Sequence, residues 1–378
     1  MSISSFETSS YKGTYKFLVI DKICNLIDLI NQDNYSIIFI DSKISDIYKS
    51  FSSSFKSKSI KVEVKSETKS VEKLIHYLKI LSDLSLKRNS NLLVIGGATM
   101  QDIFASVCCL YYRGINWSFI PTTLLSQGDS CIGSKTSLDG FGKKNQFGVF
   151  YPPNKIYVCS EFLRSLPKIE IFSGIGDILH YLLPYKSSED IVKNLVKFLE
   201  EKDMENLISF CLKASSMAMK IKSELVTIDE FDKGPRKIFN YGHTFAHAIE
   251  KASSNYVPHG VAVLCGLYIA LNLKVDKSIS LICKEQSNQI KKFLEIAFNN
   301  ENYKLEIKIS KLKPLLESDK KNISKGKVRL ILPEVASKSI WKSNKFKSEY
   351  GLNYIDLDID DCVTSFNFLT QISGIFLY

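Results

Sequence analysis

KGPRKIFNYGHTFAHAIEKASSNYVPHG, residues 233–260, is the stretch on which the reading of this chain turns. The protein has five histidines, and His243, His247 and His259 all lie here. The spacing predicts a helix over 239–251, which puts the His243 and His247 rings on one face. Neutral imidazole is a common ligand for divalent metals. Two helix histidines and one from a loop, joined by a carboxylate, would make a partly open metal site. A helix whose histidines hydrogen-bond internally fits the same spacing. The metalloprotease pattern HExxH is excluded, because Thr244 stands where its glutamate would be.

At 378 residues the chain exceeds what one hydrophobic core usually organises, so two domains are expected. Its 45% apolar and 24% charged residues are globular proportions. No apolar run reaches the roughly 18–20 residues of a membrane span. The opening MSISSFETSSYKGTYKFLVID lacks a basic start followed by an apolar block, so no signal peptide is expected. Nine cysteines without a CxxC pair suggest reduced thiols in a cytoplasmic protein. The net charge is +10, but the lysines are dispersed and no nucleic-acid motif occurs. A small anionic ligand is therefore expected, and neither nucleic acid nor membrane.

Residues 16–21, 36–41 and 60–64 are short apolar runs that read as buried strands, and 71–86 has helical spacing. Alternating strands and helices imply a parallel sheet and a nucleotide-binding fold. Residues 91–95 form the clearest strand. It runs into Gly96-Gly97 and then a helix expected over about 99–112. A strand, a glycine turn and a helix N-terminus offer free N–H groups to a pyrophosphate, although a plain tight turn reads the same. Residues 117–120 read as another strand. Lys135, Lys144 and Asn145 could supply donors to a phosphate or carboxylate, or form a solvated loop. After Pro167 the texture becomes helical. The aspartates at 356, 358, 360 and 361 lack the glycine and closing glutamate of a calcium loop and read as a surface segment.

Several blocks recur in a fixed order: Arg113-Gly114, PTTLL at 121–125, DSCIGSKT at 129–136, GKKN at 142–145, and FSGIGDILHYLL at 172–183. Arg236, Asn240, Gly242-His243-Thr244-Phe245, His247 to Glu250, His259-Gly260 and Asp319-Lys320-Lys321 follow. Together they resemble 3-dehydroquinate synthase and its relatives, the sugar-phosphate cyclases. The resemblance implies an α/β, Rossmann-like NAD-binding domain over 1–166. It implies a mainly α-helical, metal- and substrate-binding domain over 167–378, an active site in the cleft, and a homodimer. It implies NAD contacts at Asp41, Gly96, Gly97, Asp102, Thr122, Thr123, Asp129, Lys144, Phe162 and Ser165. Zinc or cobalt would bind Asp177, His243 and His259. Lys135, Lys144, Asn145, His180, Lys222, Arg236, Asn240, His247 and Lys321 would serve the substrate and its chemistry.

The sequence departs from the family pattern at the centre of that site. Asp177 takes the place of a metal-binding glutamate, as in some related metal-dependent polyol dehydrogenases. His180 takes the place of a lysine, so a fixed charge is lost. Val261 replaces a glutamate beside His259, and Glu67 sits one residue out of register before Lys69-Ser70. Arg236 and Asn240 resemble the dehydroquinate synthase pattern. The implied reaction therefore converts 3-deoxy-D-arabino-heptulosonate 7-phosphate into 3-dehydroquinate and phosphate, a lyase step of the shikimate pathway. A cyclase acting on another sugar phosphate, a polyol dehydrogenase and a non-catalytic paralogue are the alternatives.

Overall fold

The structure is a computed structural model that describes residues 2–65, 67–183, 189–273, 280–300, 303–319, 321–333 and 352–378. The chain divides into two compact units, Met1–Leu166 with Met219–Phe231, and Pro167–Ala218 with Asp232–Tyr378. A single division after residue 166 assigns 219–231 to the second part, whereas contacts place that segment in the first.

The first unit carries β1 (Ser2–Ser10), β2 (Gly13–Ile20), α1 (Ile23–Gln32), β3 (Ile37–Asp41), α2 (Ser42–Ile47) and α3 (Lys49–Ser53). It continues with β4 (Ser59–Val62), α4 (Val71–Asp83), β5 (Asn91–Gly96), α5 (Ala98–Leu110) and β6 (Asn116–Pro121). A hairpin of β7 (Leu138–Gly140) and β8 (Lys143–Phe147) precedes β9 (Lys155–Cys159). Seven strands form one sheet in the order β1-β2-β9-β6-β5-β3-β4. Only the β1–β2 pair is antiparallel.

Strand periodicity sorts the core onto two faces. Ile38, Ile40, Leu93 and Ile95 pack with Leu26, Ile30, Ile44, Phe51 and Phe162 on one side. On the other, the Phe39 ring lies 4.4 Å from Phe104 of α5 and 6.2 Å from Tyr77 of α4. Helices thus cover both faces, as a largely parallel sheet requires. The path leaves β3 toward β4 but leaves β5 toward β6, so the winding reverses between β3 and β5. That reversal opens a crevice at their carboxyl ends.

The second unit contains α6 (Lys168–Leu182), α7 (Glu189–Glu200) and the first part of α8 (Met204–Ile228). Then come α9 (His243–Ala252), α10 (His259–Asn272), α11 (Ser280–Asn300), β10 (Leu305–Ile307), α12 (Ile309–Glu317), β11 (Lys327–Pro333), β12 (Leu352–Asp358), α13 (Ile359–Ser365) and β13 (Ile375–Leu377). The expected helix over 239–251 is two elements. Pro235–Asn240 is a 3₁₀ turn, and α9 begins only at His243, after Gly242 at φ +76°. The acidic segment near residue 356 is structural. Asp356 grips Arg329 across the β11–β12 pair with two bonds of 2.9 and 2.8 Å, and Asp358 caps α13.

α10 is apolar all round, and its residues from Gly260 to Leu271 are buried. Its packing depends on missing side chains. A Cβ at Gly266 would stand 2.2 Å from the Gly242 carbonyl oxygen, and one at Gly260 would stand 1.7 Å from that of Ser173. α9 and α6 therefore meet α10 backbone to backbone. Gly266→Ala is expected to cost about 1–3 kcal/mol through overpacking, read as a lowered midpoint in thermal unfolding with the native circular dichroism spectrum retained.

Candidate functional site

The α6–α10 contact sets the geometry of the metal-ligand candidates. Gly176 and Gly260 touch, and the Gly260 amide donates to Ser173 Oγ at 3.1 Å. The next residue of α6, Asp177, and the preceding residue of α10, His259, are thereby brought side to side. His259 Nε2 lies 3.6 Å from Asp177 Oδ1. His243, at the first position of α9, completes the group, and the ligand atoms of Asp177, His243 and His259 lie within 4.8 Å of one another. Tetrahedral sites with bonds near 2.0–2.1 Å have ligand–ligand edges of about 3.4 Å. The His259–Asp177 pair is close to that edge.

The orientation of the rings fits a cation. His243 Nδ1 lies 3.1 Å from the Tyr241 carbonyl oxygen, and His259 Nδ1 lies 3.0 Å from Glu250 Oε1. Both partners accept, so each Nδ1 carries the proton and each Nε2 keeps a lone pair. Two imidazoles and one carboxylate leave a coordination position open, the pattern of catalytic rather than structural zinc. Asp177 is wholly buried. Burial holds the His243 pKa well below the usual imidazole range, and the nearby His180, His259 and His247 push it the same way, against the Tyr241 carbonyl. His243 therefore stays neutral and ready to bind at physiological pH.

Two more histidines join this cluster. The ring of His180, three residues after Asp177 on α6, lies 5.0 Å from that of His243. The His247 ring lies 5.8 Å from His243 and 6.2 Å from His259, its outer edge open to solvent. Desolvation lowers the His247 pKa to about 4, with Lys321 and His259 adding to this and Glu250 and Asp319 opposing it. Lys321 donates to Asp319 at 2.8 Å, while Lys320 lies outside the described residues. Arg236 is buried in the 3₁₀ turn before α9, and Asn240 closes that turn by donating to the Lys237 carbonyl at 3.0 Å.

In the first unit, the residues expected to meet a dinucleotide gather at the carboxyl ends of adjacent parallel strands. Asp41 ends β3, Gly96-Gly97 ends β5, and Thr122-Thr123 follows β6. Asp41 and Gly96 flank the crevice where the winding reverses, and a Cβ on Gly96 would lie 3.6 Å from that of Asp41. Gly97 faces Thr123, where a Cβ would approach to 3.1 Å. No side chain caps the start of α5. A helix N-terminus without a side-chain cap favours an anion at its first N–H groups. A pyrophosphate fits this donor set.

Asp102 of α5 accepts from Ser137 N at 3.1 Å and from Lys69 Nζ at 3.2 Å. Lys69 also donates to Asn145 Oδ1 at 2.8 Å. Burial raises the Asp102 pKa, opposed by Lys69 and Ser137. Lys222 is buried and holds Asp129 through both its carbonyl oxygen and its Oδ1 at 2.7 Å. Asp129 lies in a π-helical turn, Ser126–Ser130. Lys135 and Lys144 are exposed, Lys144 on the β7–β8 hairpin. Phe162 is fully buried, with its ring 5.2 Å from Tyr48 and 5.4 Å from Phe51, so its side chain packs in the core. Ser165 Oγ donates to the Phe162 carbonyl at 3.0 Å.

Glu250 and Lys69 belong to these two groups but were not singled out from the sequence as site residues. Each stands inside a motif, and only the tertiary contact reveals what it holds. Asp177→Ala is expected to weaken cobalt binding by at least ~100-fold, measured by chelator competition and by loss of the visible cobalt absorption, because one of three ligands is gone. Acid provides a second check on the metal-free protein. Unfolded histidine titrates near 6.5, whereas His243 titrates well below it and His247 near 4 in the folded chain. Between these values the unfolded state binds more protons, so stability is full above about pH 6.5 and is lost as pH falls toward 4. Urea midpoints measured across this range should fall accordingly.

Comparison with known proteins agrees with this geometry. The sequence model for the 3-dehydroquinate synthase N-terminal region matches residues 59–173, and that for its C-terminal region matches 184–322. A 3-dehydroquinate synthase of Thermodesulfovibrio yellowstonii is 34% identical over 70% of this chain and 72% of its own. A 2-deoxy-scyllo-inosose synthase, solved with carbaglucose-6-phosphate, NAD+ and Co2+, superposes with a TM-score of 0.74 at 18% identity, over 97% of this chain and 99% of its own. The 2-epi-5-epi-valiolone synthase from Streptomyces hygroscopicus subsp. jinggangensis, solved with NAD+ and Zn2+, gives 0.68 at 16% identity, over 98% and 99%. At those identities the two structures establish the fold. With the sequence matches and the ligand set on α6, α9 and α10, the conclusion is that this chain belongs to the 3-dehydroquinate synthase family.

Proposed function

We propose that the protein is a 3-dehydroquinate synthase, converting 3-deoxy-D-arabino-heptulosonate 7-phosphate into 3-dehydroquinate and inorganic phosphate. The observation that carries this reading is the convergence of Asp177, His243 and His259 in a chain 34% identical to a protein of that name. Asp177, His243 and His259 would hold a divalent zinc or cobalt ion, which when bound supplies Lewis acidity toward the substrate's oxygens. The carboxyl-end crevice of β3 and β5, with Gly96, Gly97, Asp102, Thr122 and Thr123, would hold NAD, which when bound supplies reversible hydride exchange with one ring alcohol.

The chain's own side chains do the rest. Arg236 presents a planar guanidinium suited to the substrate carboxylate. Asn240 offers an amide to the ring hydroxyls. Lys135, Lys144 and Asn145 supply donors to the phosphate. Lys222, paired with Asp129, and Lys321, paired with Asp319, keep their ammonium groups at fixed positions. His247, with a pKa lowered to about 4, stays neutral at physiological pH and offers its imidazole as a hydrogen-bonding group on the phosphate side of the substrate. Substrate and products balance without net oxidation: the cyclic sugar acid phosphate loses one phosphate and closes a carbon ring. The proposal carries with it a cytoplasmic homodimer.

A related cyclase with another substrate is favoured by one observation. His180 occupies the position of a lysine in the family pattern, so a substrate group that needs a fixed positive charge there would lose it. The test is phosphate release from 3-deoxy-D-arabino-heptulosonate 7-phosphate with NAD and cobalt or zinc. One equivalent of phosphate with dehydroquinate formed and no NADH accumulating is the expected result. Silence there with turnover of glucose 6-phosphate or a heptulose phosphate would transfer the assignment to the second reading. Steady NADH production from simple polyols would overturn both.

A further inference from the structure

We infer that Glu250 is a positioning residue of the metal centre, holding His259 in the tautomer and orientation that present Nε2 to the ion. The inference rests on the reading that Asp177, His243 and His259 bind a divalent metal. Glu250 lies seven residues after His243 on α9, nearly two full turns, so both side chains project from one face of that helix. Its Oε1 stands 3.0 Å from His259 Nδ1, while His259 Nε2 faces Asp177 Oδ1 at 3.6 Å. An imidazole between two carboxylates can offer a lone pair at only one nitrogen. Glu250, accepting from Nδ1–H, leaves that lone pair at Nε2, on the Asp177 side.

The side chain two residues after His259 gives no help of this kind. Val261 is apolar and wholly buried in α10. One helix thus provides a ligand, His243, and the group that orients the ligand of another, His259. Carboxylates that accept from a metal-bound imidazole raise its basicity and fix its ring, and losing one typically costs 10–100-fold in affinity.

The test compares Glu250→Gln, Glu250→Ala and His259→Ala with the parent protein, using cobalt alone as the probe. Dissociation constants come from chelator competition, ligand geometry from the visible cobalt spectrum, and folding from circular dichroism and the thermal midpoint. Gln keeps the size and one acceptor but not the charge, so it separates orientation from folding. The expected result is affinity lowered ~10–100-fold in Glu250→Ala and less in Glu250→Gln, with a shifted cobalt band and a thermal midpoint near the parent's. Cobalt affinity and spectrum equal to the parent's in both Glu250 variants, with binding abolished in His259→Ala, would overturn the inference and leave the metal site standing. A parent protein that binds no cobalt would overturn both. None of these outcomes depends on which sugar phosphate is turned over.

Discussion

The second unit depends on one close contact, the backbone of α10 lying directly on the backbones of α6 and α9. Apolar helices usually hold their axes 8–10 Å apart because side chains intervene. Here Gly260 faces the Ser173 carbonyl and Gly266 faces the Gly242 carbonyl, and no Cβ fits in either place. This approach does more than fill the core. It sets the register in which Asp177 of α6 and His259 of α10 share one small volume. Gly242, in its left-handed conformation, ends the preceding turn so that α9 starts at His243. Each metal-ligand candidate is thus fixed by helix packing rather than by a flexible loop.

The same packing creates an electrostatic problem that points to a cation. A fully buried carboxylate is costly unless positive charge lies near it. Around Asp177 the nearby rings are imidazoles, and burial disfavours the protonated form of His243. His243 also begins a helix, where the positive end of the dipole further opposes an imidazolium. Neutral nitrogens and a carboxylate around one point satisfy a divalent ion better than they satisfy one another. The first unit presents the converse case. Its α5 start and glycine turns expose N–H groups, and the anion expected there is supplied by a ligand.

Much of this was legible in the sequence, for physical reasons that differ by residue. Buried parallel strands such as β3 and β5 announce themselves as apolar runs, and Gly96-Gly97 marks the turn after β5. β1 did not, because an edge strand with one solvated side can be built from SISSFETSS, with little apolar alternation. The helix expected over 239–251 was broken by Gly242, whose role is set by α10 rather than by local propensity. Phe162 lies in a loop that resembles a cofactor contact, yet its ring is needed against Tyr48 and Phe51. The hold of Met219–Phe231 on the first unit through Lys222, Ser223 and Glu230 was beyond any one-dimensional reading. Each of those bonds spans more than ninety residues.

The departures from the family pattern now have a spatial logic. An aspartate reaches about one methylene less far than a glutamate, so it can serve as a ligand only where its helix lies close to its partners. Gly176 and Gly260 provide that closeness, since a Cβ on Gly176 would fall 2.0 Å from the Gly260 carbonyl oxygen. A second change follows the same rule. Val261 lies within the apolar core of α10, where a carboxylate would need a partner. The carboxylate that touches His259 stands instead on α9, at Glu250, with part of its surface in water. A glutamate that is only partly buried can still hold an imidazole. Beside His259 the structure thus buries one carboxylate, that of Asp177, and leaves the other, that of Glu250, partly in water.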